Sequence, residues 1–139
     1  MRKLPLATLA AALVLSATAS ATSLQLPKGF YATDVNGQPV SVHASNLSLD
    51  AGKQVVTLRY ANPYIGHRNL HETVVSKPIY VVFTADGQSN YNLNADIPYH
   101  LKDAKAFAQK PQFTIQQDDQ QVAYQAYIGN GAVTALLAD

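Results

Sequence analysis

The sequence predicts a mainly β protein: a single antiparallel β-sandwich, immunoglobulin-like or similar, with one short helix. Three observations predict it. Short runs alternate apolar and polar residues with a period of two, as at 54–60 and 89–95. Turn-forming pairs separate the runs: Asn36-Gly37, Asp86-Gly87 and Asp118-Asp119. One stretch only, LKDAKAFAQ at 101–109, joins good helix formers to a proline stop at Pro111. Short strands with turns between them pack as a sandwich or barrel.

The first 21 residues are set aside from the fold. Arg2 and Lys3 precede an apolar run through Leu15, and small residues follow, the order of a secretory signal peptide. Cleavage is expected after Ala21, leaving one domain over 22–139 and no membrane span. The apolar run is shorter than the ~20 residues a spanning helix needs. A leader of Ala, Leu, Ser and Thr is bacterial in style, so the expected location is the Gram-negative periplasm, or the medium beyond it.

Within the domain, FYATDV at 30–35 is rich in aromatic and β-branched residues, and Asn36-Gly37 supplies the positive φ a type I′ hairpin turn needs. QPVSV at 38–42 returns, with Pro39 marking an edge. In 54–60, Val56, Leu58 and Tyr60 face one way and Val55, Thr57 and Arg59 the other. The run 77–84 is apolar on both faces, as in a strand covered on both sides. Asp86-Gly87 reads as a second hairpin. Tyr91, Leu93 and Ala95 then point inward, and Asn90, Asn92 and Asn94 outward. The helix at 101–109 is too short to stand alone and must pack on a sheet through Leu101, Ala104 and Phe107 or Ala108. Stretches 112–116 and 122–128 read as a strand pair around Asp118-Asp119. The stretch 132–137 reads as either a strand or a helix, and 61–76 has no clear pattern.

Composition excludes several functions. Without Arg2 and Lys3, eight basic residues face nine acidic ones, and no basic run occurs, so nucleic acid is not an expected partner. There is no cysteine, which removes disulfides, thiol catalysis and thiolate metal sites. No Gly-x-Ser-x-Gly elbow and no phosphate-binding glycine loop is present. Ser89 has no base marked for it. Asp118 and Asp119 are adjacent, which suits a turn. Asn46-Leu47-Ser48 matches a glycosylation acceptor, discounted beside a bacterial leader.

Three candidate sites remain. His67, His71 and Glu72 lie in HRNLHE, and on a helix the two histidines would share a face and could bind zinc. The order is not His-Glu-x-x-His, and on a strand His67 and His71 would stand about 13 Å apart. No metal or other cofactor is therefore expected. Eight tyrosines without a tryptophan are the compositional oddity. Tyr60, Tyr80 and Tyr91 are assigned to the core, and Tyr64 and Tyr99 are candidate surface platforms for a sugar ring or small ligand. Finally, the outward Asn90, Asn92 and Asn94, with the run Gln116-Gln117-Asp118-Asp119-Gln120-Gln121, offer asparagine and glutamine side chains that would suit another β-rich protein if their strand lies at an edge.

In order, LQLPKGFYATDVNGQPV, LSLDAGKQVVTLRY, SKPIYVVFTADGQSNYNLNADIP and KDAKAFAQKPQFTI resemble the YccT-like family of exported Gram-negative proteins. The resemblance runs over about 24–115. Its markers are the Leu-Pro opening, the Val-Asn-Gly turn, Leu-x-Leu-x-x-Gly before a strand, Ser-x-Pro before a buried strand ending Phe-x-Ala, and the Ala-x-x-Phe-x-x-x-Pro helix exit. Members are often longer at the C-terminus. The resemblance implies a periplasmic, non-enzymatic protein, and links part of the family to restraint of curli amyloid subunit assembly. It carries over no catalytic or ligand residues. The expected function is therefore binding of another exported or envelope protein through an exposed edge or the asparagine-lined strand. The rivals are a polysaccharide or small-ligand binder at Tyr64 and Tyr99, and a metal-dependent enzyme at His67, His71 and Glu72.

Overall fold

A computed structural model describes residues 22–65 and 71–129. The leader, His67 and the stretch 132–137 lie outside the described residues. The elements are β1 (Thr22–Gln25), β2 (Phe30–Val35), β3 (Gln38–Pro39), β4 (Asn46–Leu49), β5 (Gly52–Ile65), β6 (His71–Val75), β7 (Ile79–Ala85), β8 (Asn90–Asn94), α1 (Leu101–Gln109), β9 (Thr114–Gln117), β10 (Gln120–Val122) and β11 (Gln125–Ile128).

They form two facing sheets, ordered β10-β9-β8-β1-β4 and β11-β7-β5-β2-β3, with β6 paired to the far end of β5. The inward faces follow the period-two pattern. Leu24, Leu47, Tyr91, Leu93 and Ile115 of the first sheet join Ala32, Val56, Leu58, Val81 and Phe83 of the second in one core. The rings of Phe83 and Tyr91 meet across the layers, centroids 5.3 Å apart. Burying each such side chain contributes about 1.5–3 kcal/mol, which holds the two layers together without a disulfide. Tyr80 departs from its expected place. Val81 and Phe83 set the phase of β7, so Tyr80 alternates to the outer face and is half-buried.

Asn36 (φ 52°) and Gly37 (φ 81°) form the expected turn, and β3 is the expected edge. The returning strand is only two residues long, because it ends at Pro39. Register shifts between Ala32 and Asp34, so Thr33 is a bulge that lets both Ala32 and Val35 face inward.

A second bulge shapes the long strand β5. Leu58 pairs with Ile79, and Ala61 with Val75, so β6 and β7 lie in line along β5 with one extra residue between the two pairings. Pro78 has no N–H to give to the ladder. Ser76 compensates: its N–H donates to Tyr60 O (2.8 Å) and its Oγ accepts from Tyr60 N (2.9 Å).

Three expectations change. Asp86-Gly87 does not close a hairpin; it carries the chain from β7 in one sheet to β8 in the other. The Asp86 carboxylate makes this corner, with Oδ1 accepting from Gln88 N and Ser89 N, both at 2.8 Å. The stretch 122–128 is not one strand, because β10 pairs with β9 and β11 crosses to pair with β7. One pairing, β1 with β8, is parallel. The chain between them passes through the second sheet, which supplies the long crossover that parallel neighbours need.

Helix α1 covers one end of the sandwich. Ala104 and Ala108 are buried and allow close approach, and Phe107 reaches the rings of Tyr60 (4.9 Å) and Phe30 (6.2 Å). Lys110 N bonds the carbonyls of Ala106 and Phe107, and the helix ends before Pro111.

Candidate protein-binding face

The three asparagines lie outward on β8, as their alternation predicts, and Tyr91 and Leu93 between them are buried. Their strand is not at an edge. β8 is bonded to β1 on one side and β9 on the other, so its backbone has no free side to offer a partner. The expectation of backbone pairing at the asparagine strand is corrected accordingly: what β8 presents is its side-chain face.

Pairing registers extend that face across the whole sheet. Asn46 is opposite Gln25, Gln25 opposite Asn92, Asn92 opposite Gln116, and Gln116 opposite Gln121. Five carboxamides from five strands therefore form one row on the outer face. Adjacent strands stand about 4.8 Å apart, so the row is about 19 Å long. Ser48, Ser23 and Asn90 form a shorter row beside it, and Asn94 and Thr114 continue the face on the other side. No residue in these rows is charged or aromatic. Ser23 Oγ donates to Asn90 Oδ1 (2.9 Å), and Asn94 Nδ2 to Gln116 Oε1 (3.0 Å), which orients part of the array. Exposed amides with free donors and acceptors can exchange water for another amide surface at small net cost.

The sequence marks the β8 asparagines and the run from Gln116 to Gln121 as amide-rich, but not Gln25 and Asn46 as their neighbours. Alternation gave the outward phase of β8. The parallel β1–β8 pairing, which brings in Gln25 and Asn46, has no local signature.

The other candidates are placed differently. Tyr64 is 8% exposed and Tyr99 88% exposed. Both border one groove of about 520 Å³ with Ile65, Pro98 and His100. Tyr64 is corrected as a surface platform because its hydroxyl is built into the interior: it donates to Pro98 O (2.6 Å), meets the Tyr60 hydroxyl at 2.6 Å and accepts from Asn62 Nδ2 (3.2 Å). Burial, and then the bond to Tyr64, push the Tyr60 hydroxyl up to about 12 from 10.0.

His71 and Glu72 are neighbours on β6 and so face opposite ways. Glu72 pairs with Lys105 Nζ at 3.0 Å. Among the described residues, no three His, Asp or Glu side chains gather as a metal-ligand set. Ser89 Oγ donates to Asp86 Oδ2 (2.6 Å) and accepts from Gln117 Nε2 (2.6 Å), and the Thr22 hydroxyl donates to Ser89 O. The Ser89 hydroxyl, then the turn N–H groups, hold the Asp86 carboxyl below its ordinary range. This cluster fixes the corner between the sheets. No helix among the described residues is long and apolar enough to cross a membrane.

A family model described as "Uncharacterized protein conserved in bacteria (DUF2057)" matches residues 23–131. A UPF0319 protein of Shewanella oneidensis is 34% identical over 116 residues, which cover 79% of this chain and 51% of the relative. The chain thus spans about half the length of the curated relative it matches. No solved structure matches it.

Proposed function

The chain belongs to the DUF2057 family of conserved bacterial proteins, and on that premise we propose that it is a periplasmic, non-enzymatic protein that binds another exported protein and restrains its assembly into an amyloid-type fibre of the curli kind. The YccT-like resemblance supports the fibre subunit as partner. The observation that carries the reading is the amide row. Cross-β fibres stack strands at about 4.7–4.8 Å and often bear asparagine and glutamine ladders along that repeat. A row of five amides at strand spacing has the same pitch. It can therefore face such a ladder amide to amide over several repeats, where a scattered polar surface would match only one or two.

The face carries no charge to repel or select a charged partner, so recognition rests on pitch and hydrogen bonding. Binding along a growing ladder would hinder the next subunit without any chemistry on the substrate.

The test is fibre growth by a curli-type subunit with the purified mature protein added at equimolar dose. The protein should lengthen the lag or slow elongation. A face variant carrying Gln25→Lys and Asn92→Lys should lose the effect while keeping its fold, since exposed substitutions usually change stability by less than about 0.5 kcal/mol. Unchanged lag and rate with the unaltered protein would remove the proposal.

A further inference from the structure

We infer that the outer face of the second sheet binds a sugar chain bearing an anionic group, with the anion on Arg59 and the sugar rings against Tyr31 and Tyr80. This face lies on the opposite side of the sandwich from the amide row. The inference therefore stands apart from the fibre reading, and the growth assay does not bear on it.

Pairing registers assemble the face. Ala32, Val56, Leu58 and Val81 point into the core, so the residues that alternate with them point out. Asp34 is opposite Thr57, Thr57 opposite Tyr80, and Tyr80 opposite Tyr127. This row crosses four strands and is about 14 Å long. Tyr31 and Arg59 form a second pair about 7 Å further along β5. Tyr80 is the diagonal neighbour of Arg59 on β7, a separation that long side chains bridge. The rows of the first sheet carry no ring and no charge, whereas here three phenols, a guanidinium and a carboxylate gather.

Arg59 is the group that calls for a ligand. It is half-buried, and among the described residues its side chain has no hydrogen bond and no ion pair. Asp34 does not neutralise it. That carboxylate accepts instead from the Thr33 hydroxyl at 2.6 Å and the Thr57 hydroxyl at 3.5 Å. A guanidinium stays charged and presents a planar fork of donors that fits a carboxylate, sulfate or phosphate. A charge partly withdrawn from water gains from a partner, so an anion is favoured there over an open surface. Tyr31 and Tyr80 are also half-buried, and among the described residues their side chains make no hydrogen bond and no ring contact. Their hydroxyls and the outer parts of their rings are left for a ligand.

The neighbours decide what carries the anion. None of the five large apolar side chains exposed among the described residues lies in these rows, so the face lacks the apolar centre of a protein interface. An acidic peptide would bring several carboxylates to rows that hold one cation, and would set some of them against Asp34. A sugar chain instead brings one anionic group to Arg59, apolar C–H faces to the phenol rings, and hydroxyls that the Asp34 carboxylate can accept from. Charge and ring surface are both matched only by the second ligand.

Isothermal calorimetry on the full mature chain tests this, with polygalacturonate and dextran sulfate as anionic glycans, dextran as a neutral one and polyglutamate as an acidic peptide. At least one anionic glycan should bind at least about tenfold more tightly than dextran or polyglutamate. Arg59→Gln, an outward substitution that leaves the core intact, should weaken that binding at least about tenfold, and so should Tyr31→Ala. Melting curves check that both variants are folded. Lys102→Gln removes the same charge from an exposed position on α1 and should leave binding unchanged. Failure of both anionic glycans to bind the unaltered protein would overturn the inference. So would equal binding of polyglutamate, which would mark an acidic peptide as the ligand. Equal losses for Arg59→Gln and Lys102→Gln would overturn it too, because diffuse charge and not this face would then be responsible.

Discussion

The Tyr60–Tyr64 pair gives an asymmetric prediction. Tyr64 spends its only hydroxyl proton on Pro98 O, so the proton of the 2.6 Å Tyr60–Tyr64 contact belongs to Tyr60. The Tyr64 oxygen also accepts from Asn62 Nδ2. Replacing Tyr64 by Phe leaves the Tyr60 hydroxyl, on a side chain that is 0% exposed, without an acceptor. An orphaned buried donor costs about 1–3 kcal/mol, against about 0.5–1.5 kcal/mol for an ordinary lost bond. Tyr60→Phe removes only one of two bonds the Tyr64 oxygen accepts, and leaves the ring contacts to Phe30 and Phe107 in place.

Tyr64→Phe should therefore cost about 2 kcal/mol and Tyr60→Phe about 1 kcal/mol. The double variant, in which no orphaned proton remains, should be more stable than Tyr64→Phe alone. Urea unfolding of the four proteins reads this directly from midpoints at constant slope. A Tyr64→Phe loss of 2 kcal/mol corresponds to roughly 10 °C in Tm for a domain near this size. A larger loss for Tyr60→Phe, or strictly additive losses in the double variant, would refute the assigned direction of the bond.

Three further predictions follow from local geometry. Gly87→Ala should destabilise by about 1–3 kcal/mol, because φ is +81° and a Cβ there would lie 2.8 Å from Ala51 Cβ; thermal melting checks it. Asn36→Ala should cost about 1–3 kcal/mol, since Asn36 Oδ1 accepts from Val55 N and its Nδ2 serves the buried Gln54 Oε1, both at 2.7 Å. Asn36→Gly should cost less, as it keeps the positive φ, and chemical denaturation separates the two. Alkaline stability should fall as pH rises from 10.0 towards about 12, because the folded state holds the Tyr60 proton above the unfolded value; stability curves for Tyr60→Phe should lose that part of the decline.

What the sequence revealed was what depends on neighbours a few residues away. The helix at 101–109 ends where Pro111 and helix propensity place it, and the phase of β5 and β8 follows from alternation. What it hid depends on distant pairing. Asp86-Gly87 carries the same turn chemistry whether the next strand returns in the same sheet or crosses to the other; only the positions of β8 and β11 decide. Tyr64 looked like a surface ring because its partners, Tyr60 and Pro98, are set by a fold that local pattern does not contain. The amide row is the clearest case. Each of its five residues is an ordinary outward polar position on its own strand, and the row exists only through four registers, one of them parallel.

Strand length bears on how such a protein could meet a fibre without joining it. Unpaired edges invite further strands, and proteins blunt them with short strands and proline. Here β3 has two residues and ends in Pro39, β10 has three, and β4 and β11 have four each. Strand β6, with five, is the longest edge strand among the described residues. Four of the five edge strands among the described residues are thus too short to extend a partner's ladder far, which leaves the outward amide row as the broader surface for contact.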